Sequence, residues 1–378
     1  MDFHESFPSF SAQFAVRLML KIDEADDKNI VLSPARLQAV LVLLANWAKP
    51  NIRKLILETA GNDIITQGEA NKLCYQAVKE LCPEDDVPSE WIPQLEQQTI
   101  LWCQEGLPVN DKAVKEIAPF FNASVNAIDF AGSNAKGRID DYVGNASHGL
   151  VRKLNFELHR ETAALITDIL YFKAQWSIPF DSYDTKERMF YGTREKRKVP
   201  MMKQTGKMFY YDSPVSQRVR LDFTCLAADG RGYSMWIYLP REKHTVGDVL
   251  REKWDDGFRM FGERTEVRLS LPRFDVSADT DTDKIFRKLG LACLFESPDI
   301  IPRCVRNLKI EKILQQARVS VDENGTEASA LTACISILTG PPSEFSEPVV
   351  MNVNRPFLFE IVEDSTNTIL FSGVINNL

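Results

Sequence analysis

The sequence predicts an α+β protein, and three observations carry that assignment. Capped helices with one apolar face fill the first part of the chain, long apolar or alternating runs fill the later part, and two strand-like runs close it around a turn. At the N-terminus Phe7, Phe10, Phe14 and Leu18 recur three or four apart, which makes them one stripe of a helix. Ser33-Pro34 starts the next helix, with Ser as the N-cap and Pro at the first helical position. Its apolar positions are Leu37, Val40, Leu41, Leu44, Ala45 and Ala48. Thr66 and Glu69 have the spacing of a capping box, and Ala70, Leu73, Ala77, Val78 and Leu81 continue the helical period. Ala164 to Phe172 is apolar except for Thr167 and Asp168, the pattern of a strand buried on both faces. Ser234 to Leu239 is a second such run. Val267, Leu269 and Leu271 alternate with Arg268 and Ser270, which predicts a strand with one wet face. Phe357 to Val362 and Ile369 to Ile375 form the closing pair around Asp364 to Asn367.

At about 150 residues per domain, 378 residues suffice for two or three domains or one large one. No repeat, Gly/Ser linker or low-complexity tract interrupts them, so one continuous architecture is expected over 1–378. With 44% hydrophobic and 26% charged residues the chain is neither disordered nor collagen-like. The balance of 45 basic against 53 acidic residues, a net charge of −8, argues against a general nucleic-acid binder. No apolar run approaches the roughly 18 residues that cross a bilayer, so no membrane partner is expected. The N-terminal stripe is one-sided, whereas a secretory signal is apolar all round. The chain is therefore expected to be intracellular or the mature form of a secreted protein. Its seven cysteines are scattered without CxxC spacing, so they are read as reduced core or loop thiols and not as a zinc or redox motif.

Motifs for catalysis are absent. Of the four histidines His4, His148, His159 and His244, none sits in HExxH, and no GxSxG elbow presents a serine. Gly132 to Arg138 lacks the Gly-Lys-Ser/Thr ending of a phosphate loop, and Gly230-Arg231-Gly232 is a turn. The basic run Arg194 to Lys198 reads as a solvated hairpin, with a weak polyanion site as the alternative. No enzyme activity, cofactor or metal is expected.

The informative stretch is Val321 to Leu338. A strand signal at Ala317, Val319 and Val321 runs into a turn at Asp322-Glu323-Asn324-Gly325. Beyond it, even positions hold Thr326, Ala328, Ala330, Thr332, Cys334, Ser336 and Leu338, small enough for most of their length to lie flat over an existing core. The segment reads either as a loop or, as its composition suits, as a strand held in reserve, which Gly340-Pro341-Pro342-Ser343 ends.

These residues resemble the serpins. Glu323-x-Gly325-Thr326-Glu327-Ala328-Ser329-Ala330 is similar to the hinge pattern of that family's inhibitory members. Asn29-x-x-x-Ser33-Pro34 resembles the start of its second helix, and Tyr171-Phe172-Lys173-x-x-Trp176-x-x-x-Phe180 its strand and breach segment. Val199-Pro200-Met201-Met202, Leu271-Pro272-Arg273-Phe274, Leu289-Gly290-Leu291 and Asn354-Arg355-Pro356-Phe357 continue the series in order.

The resemblance implies three β-sheets, eight or nine α-helices and an exposed reactive loop over about 325–350. It further implies that the partner is a serine protease, which attacks a scissile bond in the loop and is trapped as an acyl-enzyme when the cut loop enters the large sheet. Thr326, Ala328 and Ala330 raise no barrier to entry, and Leu331 points outward by parity. From Thr326 to Leu338 the strand would span about 43 Å. The family count puts the bond at Thr339-Gly340. Because Pro341 would then lack a useful N–H, Leu338-Thr339 is the alternative. Either suits an elastase-, chymotrypsin- or subtilisin-like protease.

Under the sheet opening, the family's polar cluster maps to Ser33, Arg36, Asp168 and Gln315. Either Arg36 and Asp168 pair as a buried ion bridge, or Arg36 reaches solvent and Ser33 caps Asp168. Sequons occur at Asn122, Asn145 and Asn324, and a glycan on the last would obstruct insertion. No basic helix suggests heparin activation, and a monomer is expected. The rival reading is a non-inhibitory carrier, chaperone or structural member of the family.

Overall fold

Helical order begins where the sequence supplies caps. The computed structural model describes residues 3–22, 27–61, 66–78, 93–146, 156–225, 232–255, 262–278, 282–297, 299–326 and 347–378. Helix α1 covers Phe3–Met19, and its Phe14 and Leu18 are buried. The side chains of Phe7 and Phe10 lie outside the described set. After the short strand β1 (Ile30–Leu32), helix α2 (Pro34–Trp47) starts at Ser33, whose Oγ accepts from the Arg36 N–H at 3.3 Å. All fourteen α2 residues are buried, as befits a helix that is apolar nearly all round. Helices α3 (Pro50–Gly61) and α4 (Gln67–Val78) follow. The capping box closes in both directions: the Thr66 N–H donates to Glu69 Oε2 at 2.8 Å, and the Glu69 N–H to Thr66 Oγ1 at 3.3 Å. Leu81 falls outside the described residues.

The middle of the chain supplies β2 (Gln94–Gln104), α5 (Asp111–Ile117), β3 (Ala123–Ile128), α6 (Ala135–Ala146) and β4 (Ala164–Gln175). The hairpin β5 (Lys186–Tyr191) and β6 (Lys196–Asp212) turns through the exposed basic run, then come β7 (Ser216–Asp222), β8 (Tyr233–Pro240) and α7 (Val246–Asp255). Strands β9 (Glu263–Pro272) and β10 (Phe274–Ala278) lead to α8 (Thr282–Lys288) and α9 (Cys293–Glu296). The C-terminal part holds β11 (Lys312–Val321), β12 (Gly325–Thr326), β13 (Val349–Asn352), β14 (Phe357–Glu363) and β15 (Thr368–Ile375). No helix among the described residues is long and apolar enough to cross a membrane.

Hydrogen bonding joins these strands into two networks. One has the order β1-β15-β14-β8-β7-β6-β9-β13, with β5 on β6, and the other has the order β10-β11-β12-β4-β2-β3. Two of the three sheets that the resemblance implies are thus connected, because the 17-residue β6 pairs β5 with its first half and β9 and β7 farther on. One apolar core gathers around α2, and a second fills the space between the networks, where Phe172 of β4 meets Phe371 of β15 at 6.4 Å. Helix α6 covers the other face, packing Ile139 and Val143 with Trp102, Leu165 and Ile169. That double cover explains the apolar run of β4 on either side of Thr167 and Asp168.

One strand departs from its sequence pattern. Arg268 of β9 is exposed but Ser270 is buried, although both lie between β6 and β13; Ser270 O takes the Val353 N–H at 2.9 Å. Five cysteines, Cys74, Cys103, Cys225, Cys293 and Cys304, are free thiols, while Cys82 and Cys334 lie outside the described residues.

Candidate functional site

The site is the seam between β4 and β11, two parallel strands of the six-stranded sheet. Over their lower part they pair directly, Lys312 to Gln316 against Leu165 to Ile169. Above that the two-residue strand β12 lies between them, antiparallel to both: Gly325 faces Gln175, Thr326 faces Ala174, and Val321 faces Thr326. The seam is closed below and wedged above.

The wedge is built by a tight turn. Asp322 Oδ1 accepts the Asn324 and Gly325 N–H groups at 2.8 and 3.2 Å, and the Asp322 N–H donates to Gly325 O at 3.0 Å. Gly325 is required by close approach, because a Cβ there would stand 2.1 Å from Ala174 O and 2.7 Å from Gln175 Cα. Thr326 is buried, and its Oγ1 accepts the Ala174 N–H at 3.0 Å. Glu323 is buried beside the turn. Its Oε1 accepts from Arg273 Nε at 2.8 Å and Nη2 at 2.6 Å and from the Thr185 hydroxyl, while Phe180 N–H donates to its carbonyl at 2.9 Å. Burial pushes this carboxyl up, but the hydrogen bonds from Arg273 and Thr185 outweigh it and hold it below the ordinary glutamate range. Trp176 locks the turn from the side: its N–H donates to Asn324 O at 2.8 Å and its Nε1 to Asp322 O at 2.9 Å. Its ring stacks on Phe223 with centroids 4.5 Å apart.

Lower in the seam, Ser33, Arg36, Asp168 and Gln315 come together. Of the two arrangements left open by the sequence, the ion pair forms: Arg36 Nη2 and Nε donate to Asp168 Oδ1 at 2.8 and 3.2 Å. Both side chains are buried. Gln315 bridges the strands, donating from Nε2 to Asp168 Oδ2 and to Ser33 O, each at 3.1 Å, and accepting the Ser33 N–H at 2.7 Å. Two residues that sequence reasoning missed complete the set. Thr99 donates to Asp168 Oδ1 at 2.8 Å and accepts from Arg36 Nη2 at 2.6 Å, and Gln97 Oε1 accepts from Arg36 Nη1 at 3.3 Å. Both sit on β2, for which the sequence reading had no strand; the buried alternation Leu95, Gln97, Thr99 was the available signal.

The hinge residues Glu327, Ala328, Ser329 and Ala330 and the candidate scissile residues Leu338, Thr339 and Gly340 lie outside the described residues. Asn122 and Asn145 are both exposed, and Asn122 also donates from Nδ2 to Gln97 O at 2.5 Å. No group of His, Cys, Asp and Glu fit to hold a metal occurs among the described residues.

A family model described as serpin (serine protease inhibitor) matches residues 9–378. An uncharacterized serpin-like protein of Thermococcus kodakarensis is 29% identical over 283 residues, 73% of this chain and 65% of that one, so the match spans just under two thirds of that relative. Human alpha-1-antichymotrypsin is 28% identical over 381 residues, covering 97% of this chain and 86% of the relative. Among solved structures, a thermophilic serpin, tengpin, in the native state superposes with a TM-score of 0.86 at 23% identity, covering 100% of this chain and 96% of that one. A thyroxine-binding globulin complexed with thyroxine gives 0.81 at 23% identity, with 99% of each chain covered.

Proposed function

The chain belongs to the serpin family, whose relatives include named protease inhibitors and not catalysts, and on that premise we propose that it inhibits serine-type endopeptidases as a suicide substrate. The protease serine attacks a carbonyl in the loop that follows Thr326, and the loop's N-terminal arm then enters the seam between β4 and β11 as a full strand. One observation carries this reading: β12 is already hydrogen-bonded between the two strands at the top, in the antiparallel sense that insertion requires, while the lower seam is paired as one sheet. In this reading Glu323, Gly325, Thr326, Glu327, Ala328, Ser329 and Ala330 serve as the hinge, Trp176 as the breach, and Ser33, Arg36, Asp168 and Gln315 as the shutter.

The physical requirement is speed, because the arm must be seated before water releases the protease. Thr326 and the alanines at 328 and 330 put no charge or bulk on the inward face. The apolar or small residues Leu338 and Thr339 fit an elastase-, chymotrypsin- or subtilisin-like target. Incubation with elastase, chymotrypsin and subtilisin followed by denaturing electrophoresis tests this. A band at the summed mass that survives SDS supports inhibition, and clean cleavage with full protease activity rejects it.

The second reading is a non-inhibitory carrier. The structural likeness to a globulin complexed with thyroxine, at 23% identity, speaks for the fold alone and does not favour it.

A further inference from the structure

One carboxylate oxygen in the wedge turn holds two neighbouring backbone amides. Asp322 Oδ1 accepts the Asn324 N–H at 2.8 Å and the Gly325 N–H at 3.2 Å. Asn324 and Gly325 are the only Asn-Gly pair in the chain. The glycine is imposed by the close approach of Ala174 O, where a Cβ would stand at 2.1 Å. Nothing comparable imposes the asparagine. Its carbonyl takes the Trp176 N–H at 2.8 Å, but its side-chain amide has no hydrogen-bond partner among the described residues. Asp322 and Asn324 are both half-buried, so the turn is open to water.

An asparagine followed by glycine is chemically vulnerable for a steric reason. The backbone nitrogen of the second residue can attack the side-chain carbonyl carbon of the first, and glycine has no Cβ to obstruct the approach. That nitrogen is a poor nucleophile while it keeps its proton. A general base must stand within about 2.6–3.2 Å of the group it deprotonates. Asp322 Oδ1 lies within that reach of the Gly325 nitrogen.

We propose that Asn324 is a self-modifying site, converted to aspartate and isoaspartate with Asp322 as the general base. The Gly325 nitrogen bonds to Asn324 Cγ as its proton passes to Asp322. Asp322 returns a proton to Asn324 Nδ2, the Cγ–Nδ2 bond breaks, and ammonia leaves behind a cyclic imide. Water then opens the ring at Cγ to give aspartate, or at the main-chain carbonyl to give isoaspartate. Either product sets a new negative charge beside Asp322 and Glu323. In isoaspartate the main chain runs through Cβ and Cγ and is a carbon longer, while the carbonyl that held the Trp176 N–H becomes a free carboxylate. The pairing of Gly325 with Gln175 and of Thr326 with Ala174 is then displaced. The wedge loosens with age. On the inhibitory reading above, on which this consequence rests, aged protein is cut as a substrate and fails to trap.

The test stores the intact full chain at neutral pH and maps its peptides at intervals, with the chain unfolded in guanidinium as reference. Conversion is read from the amide-to-acid mass change and from labelling by an isoaspartyl methyltransferase. Asp322→Asn keeps an acceptor oxygen for both N–H groups but cannot take a proton. The folded parent should convert at Asn324 ahead of its other asparagines, and folded Asp322→Asn about tenfold more slowly. Unfolded, the two should convert alike. The assignment is overturned if the folded parent keeps Asn324 intact while its unfolded chain converts, a comparison that needs no variant. It is equally overturned if folded Asp322→Asn converts as fast as the parent. The yield of SDS-stable complex with subtilisin should fall in step with conversion, and an undiminished yield from converted protein overturns the loosening. If fresh protein forms no complex, the inhibitory reading fails, and the peptide maps decide the modification by themselves.

Discussion

Arg36 and Asp168, 132 positions apart in sequence, form an ion pair of 2.8 Å in which the two side chains are 2% and 0% exposed. Neither charge has water to fall back on, so each depends on the other and on the amides and hydroxyl around them. Asp168→Asn leaves the guanidinium buried without its counter-charge and is expected to destabilise the intact protein by about 3–5 kcal/mol. Replacing both partners with apolar residues of similar size should recover most of that loss. Guanidinium unfolding of the parent, the single variant and the double variant checks this, and an unchanged midpoint in Asp168→Asn would remove the pair from the stability account.

The hinge carboxylate gives a pH dependence whose sign is fixed. Glu323 titrates lower in the folded protein than in the unfolded chain because Arg273 and Thr185 bond its charged form more strongly than burial penalises it. A depressed carboxyl contributes stability above its unfolded pKa of about 4.3, and the contribution is lost as the pH falls through the folded value. The parent should therefore lose melting temperature below about pH 4.3 more steeply than Glu323→Gln. The difference at neutral pH should be about 1 kcal/mol, kept small because Arg273 is half in solvent.

Substitutions in the wedge should separate cleavage from trapping. Gly325→Ala sets a Cβ against Ala174 O, and Thr326→Arg brings a long cation to a position whose side chain is buried between the strands. Both are expected to slow insertion relative to deacylation. More of the protein then leaves as cleaved substrate and less as SDS-stable complex. Counting moles of protein consumed per mole of protease inhibited reads this directly, and a ratio equal to that of the parent in both variants would contradict it.

Thiol reactivity should follow burial. Burial pushes the thiols of Cys74, Cys103 and Cys304 up to about 12, with Cys103 adding to the effect on Cys304 and Arg36 opposing it at Cys74. At pH 8 about one in ten thousand of each is thiolate. Iodoacetamide followed by peptide mapping should label the partly exposed Cys225 and Cys293 in the native protein, and these three only as it unfolds.

Much of the frame was legible because local rules wrote it. Ser33-Pro34 and Thr66 with Glu69 are caps that need only neighbouring residues, and both form with the bonds their spacing requires. The apolar run of β4, interrupted by Thr167 and Asp168, follows from cover on two faces. Strand β2 escaped because its exposed start, Gln94 and Glu96, and its Gln97 and Gln98 look like surface until the polar side chains find Arg36 and Tyr142.

The sequence by itself determined which residue types would sit at the hinge and under the seam, since size, charge and parity are properties of the chain. Only the tertiary structure decided that Arg36 turns inward to Asp168, that Thr99 and Gln97 join them, and that Thr326 is already seated between β4 and β11. Those facts depend on segments of distant sequence arriving within hydrogen-bond distance. Side-chain bonds act over about 3 Å, and no pattern along the chain encodes which distant partner will be there.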